Sequence, residues 1–373
     1  RLLRICDPDG VIPDDPVELE WLRRLALAAG PPGAEGPVRS LVREAIGEVG
    51  SLEYDRLGSL LCTLGSGEGP RIALDAHMDE VGFAVQSITT EGRLRFVPLG
   101  GWWGHVLLAQ RVNVITEAGA LVPGVIASKP PHFLSAAERK AVLTPESMLI
   151  DVGVSSREAA EELGIRVGDP VAPHSEWVEL ANGLVSCKAF DDRVGVGVLV
   201  ESMRRLGALK QPLPSTVIGV AAVQEEVGCR GAVTSSALSR PDVGVVLEGT
   251  PADDAPGTPD RQAVLGAGPQ LRFLDPTALS NRRLVRHVET IAREEGIPIQ
   301  IAVRANGGTD AKSIHLHGAG VPTIVIGVPA RYIHTHVSII DPRDYAATVR
   351  LTTAVVRSLD AEAVAGLTDY STS

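Results

Sequence analysis

Residues 215–231, STVIGVAAVQEEVGCRG, join an uninterrupted apolar run to two adjacent acidic side chains, Glu225 and Glu226. The run predicts a buried β-strand of the kind found in parallel sheets that are covered on both faces. Neighbouring strand residues point to opposite faces, so the two carboxylates cannot share one task within a regular strand. At the end of the strand the backbone can splay, and one carboxylate can then hold a cation while the other transfers a proton. The stretch therefore predicts an α/β fold with a reactive strand end.

Similar polar residues stand near other apolar runs. They are His77 and Asp79 in RIALDAHMDEVG, Asp191 and Asp192 in CKAFDDRVG, Glu248 in VGVVLEGT and His334 in RYIHTH. Open α/β folds place their sites beyond the carboxyl ends of parallel strands. Each residue alone has an ordinary explanation: a hydrogen-bonded structural histidine, a solvated glutamate, or a helix N-cap for the Asp191–Asp192 pair. Their joint occurrence on one sheet favours a two-metal hydrolase.

The residue types predict which metals such a centre binds and which role each residue has. Nitrogen and oxygen ligands without thiolate suit zinc, cobalt or manganese, with zinc the default. Two ions roughly 3.5–4 Å apart need a bridging carboxylate. Asp79, two residues after His77, can hydrogen-bond the imidazole and fix its tautomer. Glu225 is the candidate general base, because Glu226 fits better as a ligand.

Composition and charge argue against several other classes. A chain of 373 residues, 44% hydrophobic, can bury one large core or two modest ones. A net charge of −11 disfavours nucleic acid and anionic membranes as partners. No apolar run reaches the roughly 18 residues that span a bilayer, and the four cysteines lack metal-knuckle or disulfide spacing. We predict a soluble, cytoplasmic protein with no signal peptide.

The pattern of elements predicts two domains. A helix is expected at residues 15–29, and helices alternate with strands except between residues 81 and 176. There, short β segments separated by glycine and proline turns predict a small barrel or sandwich. We therefore predict a mixed-sheet α/β catalytic domain, residues 1–80 and 177–373, with helices on both faces, interrupted by a β-rich domain at 81–176. Within that domain, residues 132–151 are expected to be looser, either partly disordered or a lid.

Six motifs in order resemble the tetrahedral aminopeptidase family of dinuclear metallopeptidases, which includes glutamyl and deblocking aminopeptidases. They are AHMDEVGF, KAFDDRVG, VQEEVGCRGA, LEGTPADDAPGT, GGTDA and GVPARYIH, and the resemblance extends over nearly the whole chain from about residue 17. It implies an inserted dimerisation domain and a homo-oligomer in which dimers assemble into a dodecamer. It also implies a metal-dependent aminopeptidase acting on short peptides.

The resemblance assigns roles by motif. His77, Asp191 and Glu248 would hold one ion and Asp191, Glu226 and His334 the other, with Asp191 bridging. Glu225 would be the general base, and Asp79 would support His77. Asp191 is preferred to Asp192 as the bridge because it takes the first acidic position of the FDD motif. Glu248 stands where many relatives have aspartate, which keeps the charge and lengthens the reach by one methylene.

Other functions remain open from the sequence. A carboxypeptidase or small-amide deacylase of related fold would use nearly the same metals, with a cationic anchor for a substrate carboxylate. A metal-free glycosidase fits the adjacent glutamates and the two histidines poorly. Detectable peptide hydrolysis would exclude a non-catalytic scaffold. Asp310 in GGTDA either contacts the substrate ammonium group or caps a helix. Arg331 either contacts substrate or pairs with acidic neighbours, and we favour the structural interpretation. The preferred N-terminal residue does not follow from the sequence.

Overall fold

The structure, a computed structural model, describes residues 17–371 except positions 66, 256 and 259. Its helices are α1 (Leu19–Leu27), α2 (Gly36–Ile46), α3 (Arg157–Glu162), α4 (Phe190–Gly207), α5 (Arg230–Ser239), α6 (Arg282–Glu294), α7 (Ala311–Ile314), α8 (Pro342–Ser358) and α9 (Ala361–Leu367). The helix predicted at residues 15–29 corresponds to α1, and positions 15 and 16 lie outside the described residues. Within the described part of the chain, no helix is both long and apolar enough to cross a membrane.

Eighteen strands are assigned in these residues. They are β1 (Ser51–Tyr54), β2 (Leu60–Leu64), β3 (Arg71–His77), β4 (Gly82–Ile88), β5 (Leu94–Leu99), β6 (Arg111–Ile115), β7 (Leu121–Ala127), β8 (Leu149–Asp151), β9 (Pro170–Pro173), β10 (Val178–Glu179), β11 (Val185–Cys187), β12 (Thr216–Ala222), β13 (Val243–Pro251), β14 (Gln270–Asp275), β15 (Ala278–Leu279), β16 (Gln300–Val303), β17 (Thr323–Arg331) and β18 (Ser338–Ile340). Single 3₁₀ turns occupy Gly104–Val106, Pro131–Phe133, Glu138–Lys140, Pro145–Ser147 and Ala181–Gly183.

Twelve of these strands form one mixed sheet in the order β1-β2-β12-β3-β13-β17-β18-β11-β10, with β14, β15 and β16 attached beside β17. The four central strands β12, β3, β13 and β17 are parallel, and β2, β14 and β18 pair with them antiparallel. The central strands are almost entirely buried, which explains why they read as continuous apolar runs.

Helices cover both faces of this sheet. On one face α4 lies across the central strands with α1, α2 and α8 packed around it, and their apolar side chains form the main core. On the other face α5 and α7 contribute Ala232, Ala311 and Ile314, which pack on Val246 and Val325. The predicted mixed-sheet α/β fold with helices on both faces is confirmed.

The predicted β-rich insert is also observed. Strands β4-β5-β8-β7-β6-β9 close into a barrel that has its own hydrophobic core. These strands lie between positions 82 and 173, inside the predicted insert of residues 81–176, whose limits as a domain stay a prediction. Residues 132–151 are irregular, with three 3₁₀ turns before β8, and their action as a lid stays a prediction as well. Helix α3 was not predicted; Ser156 caps it by accepting the Ala159 N–H at 3.2 Å.

Candidate active site

The carboxyl ends of the parallel strands meet at one cavity of about 380 Å³. His77 is the last residue of β3, and Glu248 lies within β13 near its end. Six of the predicted site residues line this cavity: His77, Asp191, Glu225, Glu226, Glu248 and His334. Residues from five separate segments of the chain therefore converge where an open α/β sheet places its ligands.

His77 is oriented by the chain that follows it. Its Nδ1–H faces the backbone carbonyl of Asp79 at 3.0 Å. The Nε2 atom then points at the cavity, 3.2 Å from Asp191 Oδ1 and 3.5 Å from Glu248 Oε1. Burial lowers the pKa of His77, but the adjacent carboxylates of Asp191, Asp79 and Glu248 outweigh it and raise the pKa well above its ordinary value. The geometry suits an imidazole that presents Nε2 to a cation.

His334 faces the other side of Asp191. Its Nε2 atom is 3.2 Å from Asp191 Oδ2 and 3.5 Å from Glu226 Oε1. Its Nδ1–H donates to the carbonyl of Gly101 at 2.7 Å, in the segment that joins barrel strands β5 and β6. Asp191 thus has one oxygen beside each histidine, and the barrel segment fixes the ring of His334.

Asp79 makes contacts beyond the predicted one to His77. Its Oδ1 lies 3.4 Å from His77 Nδ1, farther than its own backbone carbonyl. The two carboxylate oxygens instead accept the backbone N–H groups of Glu225 and Glu226, at 2.9 and 3.0 Å. Strand β12 ends at Ala222 and Gln224 has φ 58°, so Glu225 and Glu226 lie beyond the end of the regular strand. Asp79 takes the N–H groups that a continuing strand would have paired with a neighbour.

The two aspartates at the start of α4 have separate tasks. Both have non-helical backbone angles. Asp192 is fully buried; its Oδ2 accepts the His77 N–H at 3.1 Å, and its Oδ1 accepts the Gly195 N–H at 3.0 Å. The helix-cap interpretation therefore applies to Asp192. Although Asp192 can be grouped with His77 and Glu248 as a possible metal ligand, its oxygens already accept backbone donors, whereas Asp191 faces the two imidazoles.

Two buried carboxylate groups of the cavity have an oxygen without a hydrogen-bond donor. Glu226 Oε1 and Glu248 Oε1 are buried and accept no hydrogen bond from the described residues. Burial raises the pKa of both groups and raises the pKa of Glu225 to about 7. A charged carboxylate is costly to bury unless it is paired, hydrogen-bonded or bound to metal, and a donor set of oxygens and imidazole nitrogens suits divalent ions. The residues present therefore fit two such ions.

A buried ion cluster beside the site was not anticipated. Lys188 Nζ lies 2.6 Å from Glu80 Oε1. The fully buried guanidinium of Arg193 donates to the carbonyls of Leu25 at 2.6 Å and Met78 at 2.8 Å. These bonds join α1, the segment after β3 and the start of α4. The only indication of this cluster in the sequence was the presence of charged residues in the DEVG and FDDRVG motifs, and charged residues there are equally consistent with an exposed surface.

The remaining candidates lie at the edges of the site. Arg331 pairs with Asp254 through a 2.5 Å contact. Asp310 is buried behind Glu225, does not line the cavity and makes no side-chain cap bond to α7. Two cations that were not predicted, Arg272 and Lys312, line the cavity, and the isolated positions of these residues in the sequence carried no signal.

Comparisons with known proteins identify the family. The M42 glutamyl aminopeptidase family model matches residues 58–351. The glutamyl aminopeptidase of Lactococcus lactis is 38% identical over 347 residues, 91% of this chain and 95% of that protein. The TET aminopeptidase of a marine-sediment Thaumarchaeota archaeon is 43% identical, with a TM-score of 0.91 over 94% of this chain and 99% of that one. The Pyrococcus horikoshii TET1 peptidase, which can assemble into a tetrahedron or a large octahedral shell, is 35% identical, with a TM-score of 0.83 over 91% and 99%. The resemblance found in the sequence is confirmed: the chain belongs to the M42 glutamyl aminopeptidase family, a family of peptide hydrolases.

Proposed function

We propose that this protein is a metal-dependent aminopeptidase that removes N-terminal residues from short peptides, with Glu225 as its general base. The observation that carries the proposal is the position of Asp191 between two imidazoles. One oxygen lies 3.2 Å from His77 Nε2 and the other 3.2 Å from His334 Nε2. A carboxylate placed in this way is suited to bridge a pair of cations.

The metal ligands are proposed as the sequence predicted them. His77, Asp191 and Glu248 would hold one divalent ion, and Asp191, Glu226 and His334 would hold the other. Zinc suits this donor set best, and cobalt and manganese are suited as well. When bound, the two ions would supply Lewis-acid polarisation of the scissile carbonyl and acidification of a water molecule.

Glu225 is placed to move the proton. Its carboxylate lines the cavity, with Oε2 3.9 Å from His77 Nε2. It is not needed as a ligand in the proposed set, so it is free to take a proton from the attacking water and give it to the leaving amine. Asp79 is a positioning residue, because it holds the backbone N–H groups of Glu225 and Glu226.

The two cations of the cavity favour a substrate with an acidic first residue. Arg272 is buried and Lys312 is exposed at the rim. Two divalent ions would offset the charge of the four cavity carboxylates, and Arg272 and Lys312 would then meet a substrate carboxylate. The same cations could anchor the C-terminal carboxylate in the related-fold alternative, a carboxypeptidase or deacylase, so the experiment must separate free from blocked N-termini.

Self-association is proposed as well. The barrel region exposes large apolar side chains, including Trp103, Phe133 and Val142, a feature typical of surfaces that bind other proteins. With the tetrahedral or octahedral assembly of the solved TET1 relative, this supports a homo-oligomer, which we propose to consist of dimers that assemble into a dodecamer. A cytoplasmic location is proposed from the sequence alone. Light scattering of the purified protein measures the assembly directly.

A panel of aminoacyl-p-nitroanilides tests the function. Glu, Asp, Leu, Lys and Ala substrates, with and without N-acetylation, are assayed before and after chelation and after zinc or cobalt is restored. Hydrolysis of free N-termini only, lost on chelation and regained with metal, is the expected result. Hydrolysis of the acetylated substrates would refute the aminopeptidase assignment in favour of a deacylase or endopeptidase.

A further inference from the structure

A second cluster of possible metal ligands adjoins Glu225, at the starts of α5 and α7. Carboxylate oxygens of Glu225 and Asp310 and the Sγ atom of Cys229 all lie within 4.8 Å of one another. The Sγ atom is 3.3 Å from Glu225 Oε1 and 3.4 Å from the carbonyl oxygen of Thr309. None of the five proposed ligands of the catalytic ions belongs to this cluster, so the two sets of donors are distinct.

The thiol and the carboxylate are held together by a tight turn. The N–H groups of Gly228 and Cys229 both donate to the Glu225 carbonyl at 2.8 Å. Cys229 has φ 54°, and its own carbonyl accepts the Ser313 hydroxyl at 3.1 Å. The backbone thus holds Cys229 beside Glu225, and little rearrangement is needed for both to bind one ion.

Asp310 gives independent evidence that a cation binds to this cluster. It is 1% exposed, and neither carboxyl oxygen has a hydrogen-bond donor among the described residues. Its buried neighbour is the carboxyl group of Asp75, which also has no donor among the described residues, so the two acids can pair with each other only by sharing a proton. A buried carboxyl without a donor is costly, and a cation between Asp310, Cys229 and Glu225 would remove that cost.

We propose that Glu225, Cys229 and Asp310 form a third, inhibitory site for a thiophilic divalent cation of the Zn²⁺ or Cd²⁺ type. Zinc bonds of about 2.3 Å to sulfur and about 2.1 Å to oxygen, at tetrahedral angles, separate ligand atoms by about 3.4–3.6 Å. The observed separation of 3.3 Å between Sγ and Oε1 is close to this value. On binding, the S–H bond of Cys229 breaks, a sulfur–metal bond forms, and the proton passes to solvent.

Occupation of this site would block catalysis. Glu225 and Cys229 both line the cavity, so an ion can reach them through the same opening as a substrate. A Glu225 carboxylate bound to this ion cannot accept the proton of the attacking water. The inhibition rests on the proposed function, in which Glu225 is the general base, whereas the binding of the ion does not.

Cadmium binding tests the site independently of activity. The full chain, loaded with two equivalents of Zn²⁺, is titrated with Cd²⁺ and followed by the ultraviolet charge-transfer absorption of cadmium thiolate. One further equivalent of Cd²⁺ should bind, and its binding should produce the charge-transfer band and release one proton. Cys229→Ser should abolish the band, and Asp310→Asn should keep it while weakening Cd²⁺ affinity at least about tenfold.

Zinc inhibition supplies the second measurement, expressed relative to the uninhibited rate of each variant. Cys229→Ser should raise the half-inhibitory Zn²⁺ concentration at least about tenfold. Cys62→Ser is the matched control, because Cys62 is also buried but its Sγ faces the Ile46 carbonyl; Cys6→Ser covers the cysteine outside the described residues. Both controls should keep the band.

An unchanged band in Cys229→Ser, or unchanged Cd²⁺ affinity in Asp310→Asn, would overturn the proposal. The second variant decides the matter if circular dichroism shows that Cys229→Ser does not fold. Absence of peptide hydrolysis in the wild-type protein would instead defeat the proposed function, and the cadmium titration would still decide whether the third site exists.

Discussion

Replacing Asp79 with asparagine should lower turnover without unfolding the protein. The carboxylate of Asp79 is fully buried and accepts the N–H groups of Glu225 and Glu226 at 2.9 and 3.0 Å. Asparagine has nearly the same shape, but only one of its two terminal atoms can accept a hydrogen bond. One of the two N–H groups then faces an NH₂ group, and the segment that carries the proposed general base and one proposed metal ligand must shift.

The size of the effect follows from the bond that is lost. A hydrogen bond to a charged group contributes about 1.5–3 kcal/mol, and each 1.36 kcal/mol in a barrier is a factor of ten in rate. If the whole loss is expressed in the transition state, kcat should fall about 10- to 150-fold. KM should change less, since Asp79 does not line the cavity.

The assay is steady-state hydrolysis of the best substrate in the panel, together with metal content and thermal unfolding. Asp55→Asn is the matched control, because Asp55 Oδ1 also accepts backbone N–H groups, those of Leu57, Gly58 and Ser59, in a turn outside the cavity. The control should keep its kcat. A kcat within twofold of wild type for Asp79→Asn, or an equal loss of kcat in the control, would refute the positioning role.

Three further predictions concern the proposed roles. Glu225→Gln should reduce kcat by about 10²- to 10⁴-fold with two metal equivalents still bound by elemental analysis; loss of both ions would mean that the roles of Glu225 and Glu226 are reversed. Asp191→Ala should weaken both metal sites by calorimetry, and more than Asp192→Ala does; the opposite ranking would make Asp192 the bridge. Burial lowers the pKa of His336 to about 4 from 6.5, so the folded state disfavours its protonated form and stability falls as the pH drops below 6.5. Between pH 7.5 and 5 this group should cost about 2 kcal/mol of unfolding free energy. In His336→Gln, the unfolding free energy measured with denaturant should fall by about 2 kcal/mol less between pH 7.5 and 5 than in the wild-type protein. An equal fall in both proteins would show that His336 is not buried in its neutral form.

Part of the fold could be read from local pattern. The apolar run before Glu225 was expected as a buried strand of a parallel sheet, and it forms β12, one of the four central strands. After position 341 the chain forms two helices, α8 and α9, in place of one continuous helix. Asp360 accepts the Ala363 N–H at 2.8 Å and caps the second of these helices, a local choice that helical periodicity alone does not reveal.

The candidate site was predictable in its residue types and less so in its contacts. The ordered motifs pointed to His77, Asp191, Glu226, Glu248 and His334, which converge on one cavity. A contact between Asp79 and the imidazole could be expected from the spacing, whereas the bonds from backbone N–H groups 146 and 147 residues away could not. Sequence spacing gave no reason to expect that long-range partner.

By itself the sequence determined the α/β class, the β-rich insert and the chemistry available, because hydrophobic periodicity and ligand types are properties of neighbouring residues. The tertiary structure alone decided which oxygen faces which nitrogen. Asp192 turns to the His77 N–H, 115 residues away, leaving Asp191 for the imidazoles. The Gly101 carbonyl orients His334 across 233 residues. Such contacts depend on how β3, α4 and the barrel pack against one another, and no local pattern encodes that packing.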